Sequence, residues 1–382
     1  MPAHTHDGID WVARLADLRR ADEANGPAQR AVADRLIASL PAPRPTVLDV
    51  GCGAGGMSAA LAAALAAKFA AAGSIGDGAA ATAGSVGAGA DRSASMAAVG
   101  GLAGAPNSAA GGSAGVASVG GPAGAGGGVA AAGVASAGSV ASLIGAGDPG
   151  CGGALVLVDA VPELLAAAGA VARAVPGVAG VVDVRTVLAD LAAAGRSNSA
   201  AEALDAVPAA DLVWASNVAH HLPDQRKAVA ALTVWLAPGG CLALAEGGLS
   251  MRCLPWDVGV GEPGLQDRLI AAHGIWFHRM RSEMQDVVRL PIGWNQVLAE
   301  AGLCGVTAFS YLVDVPAPLT DTGRAAVVSW LAWMTRTTAD MLTPADLGAL
   351  NRLLDPDDLA YVGRRDDVFL LKASTVYLGW RS

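Results

Sequence analysis

Residues 47–61, with the sequence VLDVGCGAGGMSAAL, constrain the fold more than any other part of the chain. The segment begins with a short apolar run that is typical of a buried strand. Closely spaced glycines then mark a tight turn, and an alanine-rich run follows them. The segment therefore predicts a strand, a glycine-rich turn and the start of a helix, which is the unit from which parallel α/β sheets are built.

The glycines of this turn fit two ligand-binding patterns. Gly51, Gly53 and Gly56 have the G-x-G-x-x-G spacing of a dinucleotide site. Gly51, Gly53 and Gly55 instead fit a G-x-G-x-G turn of a methyl-donor site. In both patterns, small residues let the backbone approach a ligand and the N-terminus of the next helix offers free N–H groups. The glycines alone leave both possibilities open.

Strand and helix patterns alternate again from residue 154 onward. Strands are predicted in ALVLVDA, VVDVRTV, AADLVWASN and PGGCLALAEGG, with helices in VPELLAAAGAVARAV and QRKAVAALTVWL. This alternation predicts an α/β fold with a Rossmann-like sheet and helices on both faces. We expect ligands at the carboxyl ends of the strands, where the strand order reverses.

The chain also has parts outside this alternation. Within the core, residues 249–292 are expected to form a helical lid, and two helices are expected between residues 8 and 40. The predicted divisions are an N-terminal helical cap at 1–43, a core at 44–316, a helical insertion at 317–365 and a final core strand at 366–382.

Residues 74–150 have a different composition from the rest of the chain. They consist mainly of alanine, glycine, serine and valine without a fixed period, and their only charged residues are Asp77, Asp91, Arg92 and Asp148. Such a segment lacks the large side chains that offset the entropy of ordering. We predict a disordered, low-complexity insertion that leaves the core at the edge away from the ligand.

Composition favours a protein that acts on a small molecule. The net charge is −9, and no basic stripe is visible that would neutralise the phosphates of nucleic acid or of a membrane surface. Residues 129–147 carry no charge over a membrane-spanning length, but few of them are large and apolar, so no transmembrane helix is expected. We therefore expect no nucleic-acid or membrane partner. The sequence leaves the oligomeric state open.

The cysteines and the first residues favour a cytoplasmic protein. The five cysteines form no C-x-x-C pair, which fits a reducing compartment and predicts no metal site. The first residues lack a basic region followed by an apolar run, so no signal peptide is expected.

Three carboxylates follow or end the predicted strands. Asp49, two residues before the first glycine, would repel a pyrophosphate and would suit a cationic ligand. Asp159 ends the second strand, where a carboxylate can bind ribose hydroxyls of either cofactor. Asp190 follows the third strand and is placed to meet an adenine edge. Of the three, Asp49 favours a cationic donor.

Several motifs in order resemble those of class I S-adenosylmethionine-dependent methyltransferases of the bacterial small-molecule type. The motifs are VLDVGCGAGG, VLVDAVPELL, VLADLA, DLVWASNVAHHLPD and LAPGGCLALAEGG. The resemblance implies a seven-stranded sheet whose last strand is inserted antiparallel. It also implies S-adenosyl-L-methionine as the cofactor. The insertion at 74–150 is foreign to the family, and the stretch between Asp190 and Asp211 is longer than usual.

The resemblance also implies which residues hold the donor. Asp159 and the adjacent Ala160 would meet the ribose, Asp190 and Leu191 would flank the adenine, and Asn217 would lie near the transferred methyl group. The methionine part would be cradled by Asp49, Gly51, Cys52, Gly53 and Gly55. Cys52 is expected to serve the turn as a small residue, because no activating base lies near it in the sequence.

Candidate catalytic and acceptor residues lie further along the chain. His220 and His221 are the nearest candidates for a general base, since histidine titrates near neutral pH, although both could simply shape the loop. If the helix at 264–284 covers the ligand end of the sheet, it could line an acceptor pocket. The residues of that pocket would be Trp256, His273, Trp276 and Phe277. The alternative is a lid helix that only packs its apolar stripe.

The function predicted from these residues is methyl transfer from S-adenosylmethionine to an oxygen, nitrogen or carbon atom of a small molecule. Positioning and water exclusion would supply much of the rate. A nicotinamide-dependent oxidoreductase is one alternative, opposed by Asp49 and by the lack of a hydride-transfer set such as Tyr-x-x-x-Lys. A non-catalytic donor-binding or interaction protein is another.

Overall fold

The computed structural model describes residues 10–81, 153–191 and 207–382, with only the backbone described over 72–81. Within these ranges, seven strands form one sheet. They are β1 (Thr46–Val50), β2 (Gly153–Asp159), β3 (Val182–Leu188), β4 (Ala210–Ser216), β5 (Leu236–Arg252), β6 (Cys304–Val315) and β7 (Leu370–Trp380).

The strand order is β3-β2-β1-β4-β5-β7-β6. β1 pairs in parallel with both β2 and β4, so the order reverses at β1. β7 pairs antiparallel with β5 on one side and with β6 on the other. This confirms the predicted fold class: a Rossmann-like seven-stranded sheet whose last strand is inserted antiparallel.

Helices cover both faces of the sheet, and further helices lie at the carboxyl ends of its strands. β1 shows how the faces are divided, since Val47 packs in one cluster with α1, α2 and α3, while Leu48 packs in another with α4 and α6. The helices are α1 (Trp11–Ser39), α2 (Gly56–Ala81), α3 (Pro162–Arg173), α4 (Gln225–Val234), α5 (Leu265–Ser282), α6 (Trp294–Glu300), α7 (Asp321–Thr338) and α8 (Pro344–Leu354).

The N-terminal segment differs from the expectation of two helices, because α1 is one continuous helix with Pro27 inside it. An internal proline removes a backbone donor and disfavours a helix. Packing on both sides of Pro27 outweighs this cost. Val32 and Leu36 are buried in the core, and the helix also contacts α7.

The helix α2 continues to Ala81, past residue 74, where the low-complexity insertion was expected to begin. The rest of the predicted insertion, residues 82–150, lies outside the described residues, and so does the prediction that it is disordered. Among the described residues, no helix combines the length and the apolar character that crossing a membrane requires.

The segments after β5 and after β6, predicted as separate helical insertions, share one apolar cluster. Leu265 and Leu269 of α5 lie in this cluster with Leu331 of α7 and Leu350 of α8. Arg268 of α5 also donates to both carboxylate oxygens of Asp346 at 2.7 to 3.1 Å. The two insertions therefore pack together as a single cap.

Candidate functional site

A cavity of about 200 Å³ opens at the carboxyl ends of β1, β2 and β4. Val50, Val158 and Ser216, at or next to the last residues of these strands, lie in its wall. We call this cavity the donor cleft because most of the residues predicted to bind the donor line it, and it lies where the strand order reverses. Of the residues predicted to bind the donor, its lining includes Gly51, Gly53, Asp159, Ala160, Asp190, Leu191 and Asn217.

The glycine turn is held tightly against β2. The Gly51 N–H donates to the Val158 carbonyl at 2.8 Å, and Gly51 and Gly53 have φ values of 68° and 56°. A Cβ atom on Gly51 would lie 2.4 Å from the Val218 side chain, whereas one on Gly53 would meet nothing within 4 Å. The turn therefore needs glycine at residue 51 for both backbone conformation and space.

Asp159 joins the end of β2 to the glycine turn. Its carboxylate accepts the Gly53 N–H at 3.0 Å on one oxygen and the Val161 N–H at 3.0 Å on the other. Burial raises the pKa of Asp159 above its ordinary value, and the backbone donors oppose that shift. The carboxylate is thus fixed at the wall of the cleft.

Asp49 lies behind the turn and is not among the residues that line the cleft. Its side chain is buried and accepts a hydrogen bond from the Ser58 hydroxyl at 2.6 Å. Burial raises the pKa of Asp49 to about 7, with the charges of Asp159 and Asp22 adding to the effect and Ser58 opposing it. Asp49 can therefore act on a ligand through its charge, with its position set by Ser58.

Three residues of α1 that were not predicted from the sequence belong to this site. Trp11 and Leu18 line the donor cleft. Asp22 accepts the Gly56 N–H at 3.0 Å, at the first residue of α2, and burial raises the pKa of Asp22. No local pattern could have identified these residues, because only the packing of α1 brings them to the turn.

Two residues predicted to bind the methyl donor, Cys52 and Gly55, instead stabilise the compact turn. The Cys52 thiol is buried and lies 3.9 Å from an Asp159 oxygen, and burial raises the pKa of this thiol. A Cβ atom on Gly55 would lie 2.6 Å from the Ala168 backbone, so Gly55 permits α3 to approach. Neither residue lines the cleft. The small side chains keep the turn compact.

The far wall of the cleft comes from the ends of β3 and β4. Asp190 and Leu191 follow β3, and both line the cleft. Asn217 follows β4 and has a positive φ of 55°, which is uncommon for a residue with a side chain. Asn217 also lines a second cavity and is therefore the junction between the two.

The two candidate histidines lie in a 3-10 turn, Ala219–His221, and have different environments. His221 lines the donor cleft. His220 places its Nδ1 atom 2.6 Å from a Glu246 oxygen. Because a carboxylate only accepts, this Nδ1 carries the proton, but His220 lines neither the donor cleft nor the second cavity.

Glu246, at the carboxyl end of the core part of β5, was also missed. It is almost fully buried, and its other oxygen accepts the N–H groups of Val218 at 3.0 Å and Ala219 at 2.8 Å. The signal in the sequence was a single carboxylate after the apolar run LALA, followed by two glycines. A buried carboxylate needs such donors, and here they fix the loop after β4.

The predicted acceptor residues of α5 contribute to aromatic packing near the cleft. The His273 ring lies 5.2 Å from the Trp276 ring and 5.3 Å from the Trp333 ring of α7. Phe277 lies 5.8 Å from the His220 ring. None of the three predicted residues of this helix lines the donor cleft or the second cavity. Their position favours the alternative of a lid helix that packs against its neighbours.

Trp256 lies apart from the other predicted acceptor residues. Its side chain is 71% exposed and borders a separate surface pocket with Arg252 and Gly264. Trp256 precedes the N-terminal end of α5, whereas Phe277 and Arg281 lie near the other end, where Arg281 donates to the His220 carbonyl. A helix of this length spans about 27 Å, which separates Trp256 from the loop after β4.

Across residues 10–81, 153–191 and 207–382, no group of three or more histidine, cysteine or acidic side chains could hold a metal ion.

Comparison with known proteins finds similarity at the level of solved structures. No protein-family model and no curated protein sequence matches the chain. A SAM-dependent methyltransferase from Thiobacillus denitrificans in complex with S-adenosyl-L-homocysteine is 13% identical, with 96% of this chain and 98% of that chain covered and a TM-score of 0.39.

Two further structures are similar at the same level. The YcgJ protein from Bacillus subtilis is 13% identical, with 92% of this chain and 98% of that chain covered and a TM-score of 0.38. Phosphoethanolamine N-methyltransferase 2 from Haemonchus contortus is 10% identical, with 92% of this chain but only 52% of that chain covered and a TM-score of 0.35.

Proposed function

We propose that this chain is a methyltransferase that uses S-adenosylmethionine to methylate an oxygen, nitrogen or carbon atom of a small molecule. The observation that carries this proposal is the set of carboxylates around the glycine turn, Asp22, Asp49 and Asp159. Burial raises the pKa of each. A site that disfavours its own negative charge gains when a cation binds beside it, because the cation favours the ionised carboxylates.

The same carboxylates separate this proposal from a nicotinamide-dependent oxidoreductase. A dinucleotide brings a doubly charged pyrophosphate to the glycine turn, where its charge is normally met by free N–H groups. Here the Gly53 and Gly56 N–H groups are already bonded to Asp159 and Asp22. The turn therefore offers negative charge where a dinucleotide would need donors.

The binding roles follow from position in the cleft. We assign Gly51, Gly53 and the charge of Asp49 to the methionine part of the donor, and Asp159 with Ala160 to the ribose. Trp11 and Leu18 of α1 would cover the donor and exclude water. Asp190 with Leu191 would flank the adenine, and Asn217 would lie at the methyl end.

The residues around the loop after β4 provide positioning and a proton acceptor. When bound, S-adenosylmethionine supplies a methyl group on a sulfonium sulfur, which keeps the electron pair of the broken S–C bond. The acceptor atom forms the new bond in line with the broken one, so Asn217 and the cap act by orientation. Where the acceptor must lose a proton, the two candidates for the base are His221, which lines the donor cleft, and His220, whose ring lies 4.0 Å from that of His221 and whose Nδ1 proton is held by Glu246.

Calorimetric titration tests the proposal directly. We expect the folded protein to bind S-adenosylmethionine and S-adenosylhomocysteine, and to bind NADH at least about tenfold more weakly. An Asp159→Asn variant should lose about tenfold or more in affinity for both adenosyl ligands, because a ribose hydroxyl gives up a charge-assisted hydrogen bond.

Asp366→Asn is a matched control, since Asp366 is exposed, precedes β7 and does not line the donor cleft. It should leave the affinity for S-adenosylhomocysteine unchanged. A folded sample that binds neither adenosyl ligand contradicts the proposal.

A further inference from the structure

A second cavity, of about 410 Å³, adjoins the donor cleft at Asn217. Its walls are α1, the extension of β5 beyond the core, β7 and α7. Trp330 of α7 and Met251 of β5 give it apolar surface. Its volume is within the range of small-ligand sites, and its position next to the methyl end of the donor cleft is where an acceptor must lie.

One charged side chain lies in the wall of this second cavity. Among the described residues that line it, Lys372 is the only one with an ionisable side chain, and the polar side chains Asn25, Asn217, Ser250 and Ser374 are neutral. Lys372 is on β7, opposite Val313 of β6. The inserted antiparallel strand thus brings a cation to the acceptor side of the site.

Lys372 has no direct partner among the residues that the structure describes. It makes no hydrogen bond or ion pair with them, and the charge of Asp22 acts on it only through space. Burial lowers the pKa of Lys372, while Asp22 opposes this shift. A partly desolvated ammonium group that has no hydrogen-bond acceptor is stabilised by a ligand that supplies an anionic oxygen.

We infer that the acceptor is a small organic acid whose carboxylate, or an equivalent anionic oxygen, is bound by Lys372 in the second cavity. The inference rests on the proposed function and adds the substrate class to it. Lys372 anchors the acid group, and the rest of the molecule reaches past Asn217 toward the donor cleft. Trp330 and Met251 then contact the apolar part of the acceptor.

The test compares acids with their uncharged amides as probes. Acetate, benzoate and 4-hydroxybenzoate are titrated against acetamide, benzamide and 4-hydroxybenzamide by saturation-transfer NMR, with the protein saturated with S-adenosylhomocysteine. We expect at least one acid to bind about tenfold or more tightly than its amide at pH 7. If no acid is preferred over its amide, the inference is wrong.

Variants at residue 372 identify the group responsible. Lys372→Met keeps the length of the side chain and should remove the preference for the acid, whereas Lys372→Arg should keep it. Ser374→Ala, in the same wall, is the matched control and should also keep it. A preference that survives in Lys372→Met overturns the inference. If Lys372→Met does not fold, as judged by circular dichroism, Lys372→Gln is used in the same comparison.

Titration of S-adenosylhomocysteine separates this inference from the proposed function. Lys372→Met should bind S-adenosylhomocysteine as the unchanged protein does, because Lys372 does not line the donor cleft. Failure of the unchanged protein to bind S-adenosylhomocysteine contradicts the proposed function. Binding of S-adenosylhomocysteine without preference for any acid contradicts only the assignment of the acceptor.

Discussion

At the scale of single residues, the glycine turn depends on what surrounds each glycine. Gly51 and Gly53 both have positive φ, yet only Gly51 faces a close neighbour, Val218. A side chain at Gly51 would have to displace the loop after β4, whereas a side chain at Gly53 would enter open space beside the donor cleft. The two residues should therefore respond differently to the same substitution.

Gly51→Ala is predicted to reduce stability more than Gly53→Ala. We expect a loss of roughly 2–4 kcal/mol for Gly51→Ala, from backbone strain and overlap with Val218, and of about 1 kcal/mol for Gly53→Ala. Urea denaturation measures both. Gly53→Ala should instead weaken binding of S-adenosylhomocysteine at near-normal stability. Equal losses of stability in the two variants would count against this geometry.

Asp49 links stability to pH at the same scale. Its pKa is raised to about 7 from an ordinary value of 3.8, so the folded protein holds a proton that the unfolded chain releases between these values. The contribution of this group to stability therefore falls as the pH rises from about 4 to 7, and is constant above that range.

Asp49→Asn removes this dependence and keeps an acceptor for Ser58. We expect the variant to be more stable than the unchanged protein by roughly 1–3 kcal/mol at pH 8, with little difference near pH 4. Its affinity for S-adenosylmethionine should fall, because a negative charge beside a cation is lost. Denaturation at the two pH values and calorimetry are the measurements. A variant that is less stable than the unchanged protein at pH 8 would show that other groups stabilise the ionised Asp49 carboxylate when no ligand is bound.

At the scale of elements, the loop after β4 is held by one carboxylate from β5. Glu246 accepts two backbone N–H groups at 3.0 Å or less and also contacts His220. The local sequence of the loop contains no side chain that performs this task. The conformation of this loop is therefore set by β5, the strand next to β4 in the sheet.

Glu246→Ala is predicted to destabilise the protein by roughly 2–4 kcal/mol, because buried N–H groups lose their acceptor. Glu246→Gln keeps an oxygen for these groups and should cost less. Its amide N–H₂ group would face Nδ1 of His220 and shift the ring proton to Nε2, which ¹⁵N NMR of the histidine ring detects. An unchanged tautomer in Glu246→Gln would argue that Glu246 does not orient His220.

At the scale of the whole molecule, additions to the core divide between its two ends. The cap formed by α5, α7 and α8 adjoins the carboxyl ends of the strands, where both cavities lie. The helix α2 starts at the glycine turn and runs the other way. Its 26 residues span about 39 Å, against about 17 Å for β1, so α2 extends beyond the far edge of the sheet.

Deletion of residues 76–149 is therefore predicted to leave donor affinity nearly unchanged. The deleted segment begins in the last part of α2, and both the end of α2 and the start of β2 lie away from the donor cleft. Closing a long connection costs only about 2–3 kcal/mol more than closing a short one. Calorimetry with S-adenosylhomocysteine on the shortened chain is the measurement. A loss of affinity beyond about tenfold in a folded sample would mean that the segment reaches the cleft.

The sheet and the position of the donor cleft could be predicted from the amino-acid sequence alone. Alternating apolar runs and glycine turns are local signals, and the carboxyl ends of neighbouring parallel strands necessarily meet at one edge. That is why Gly51, Asp159 and Asp190, far apart in the chain, could be assigned in advance to one cleft, to which the family resemblance added Asn217. Their roles in binding stay predictions.

The residues that cover the cleft and the cavity beside it depend on how distant elements pack, and they could not be predicted from the sequence. A continuous α1 brings Trp11 and Asp22 to the turn despite Pro27, and the pairing of β7 with β5 and β6 brings Lys372 to the second cavity. Helical periodicity reports which face of a helix is buried, but not which distant surface buries it. Contacts across hundreds of residues depend on the packing of whole elements, and no local pattern carries that information.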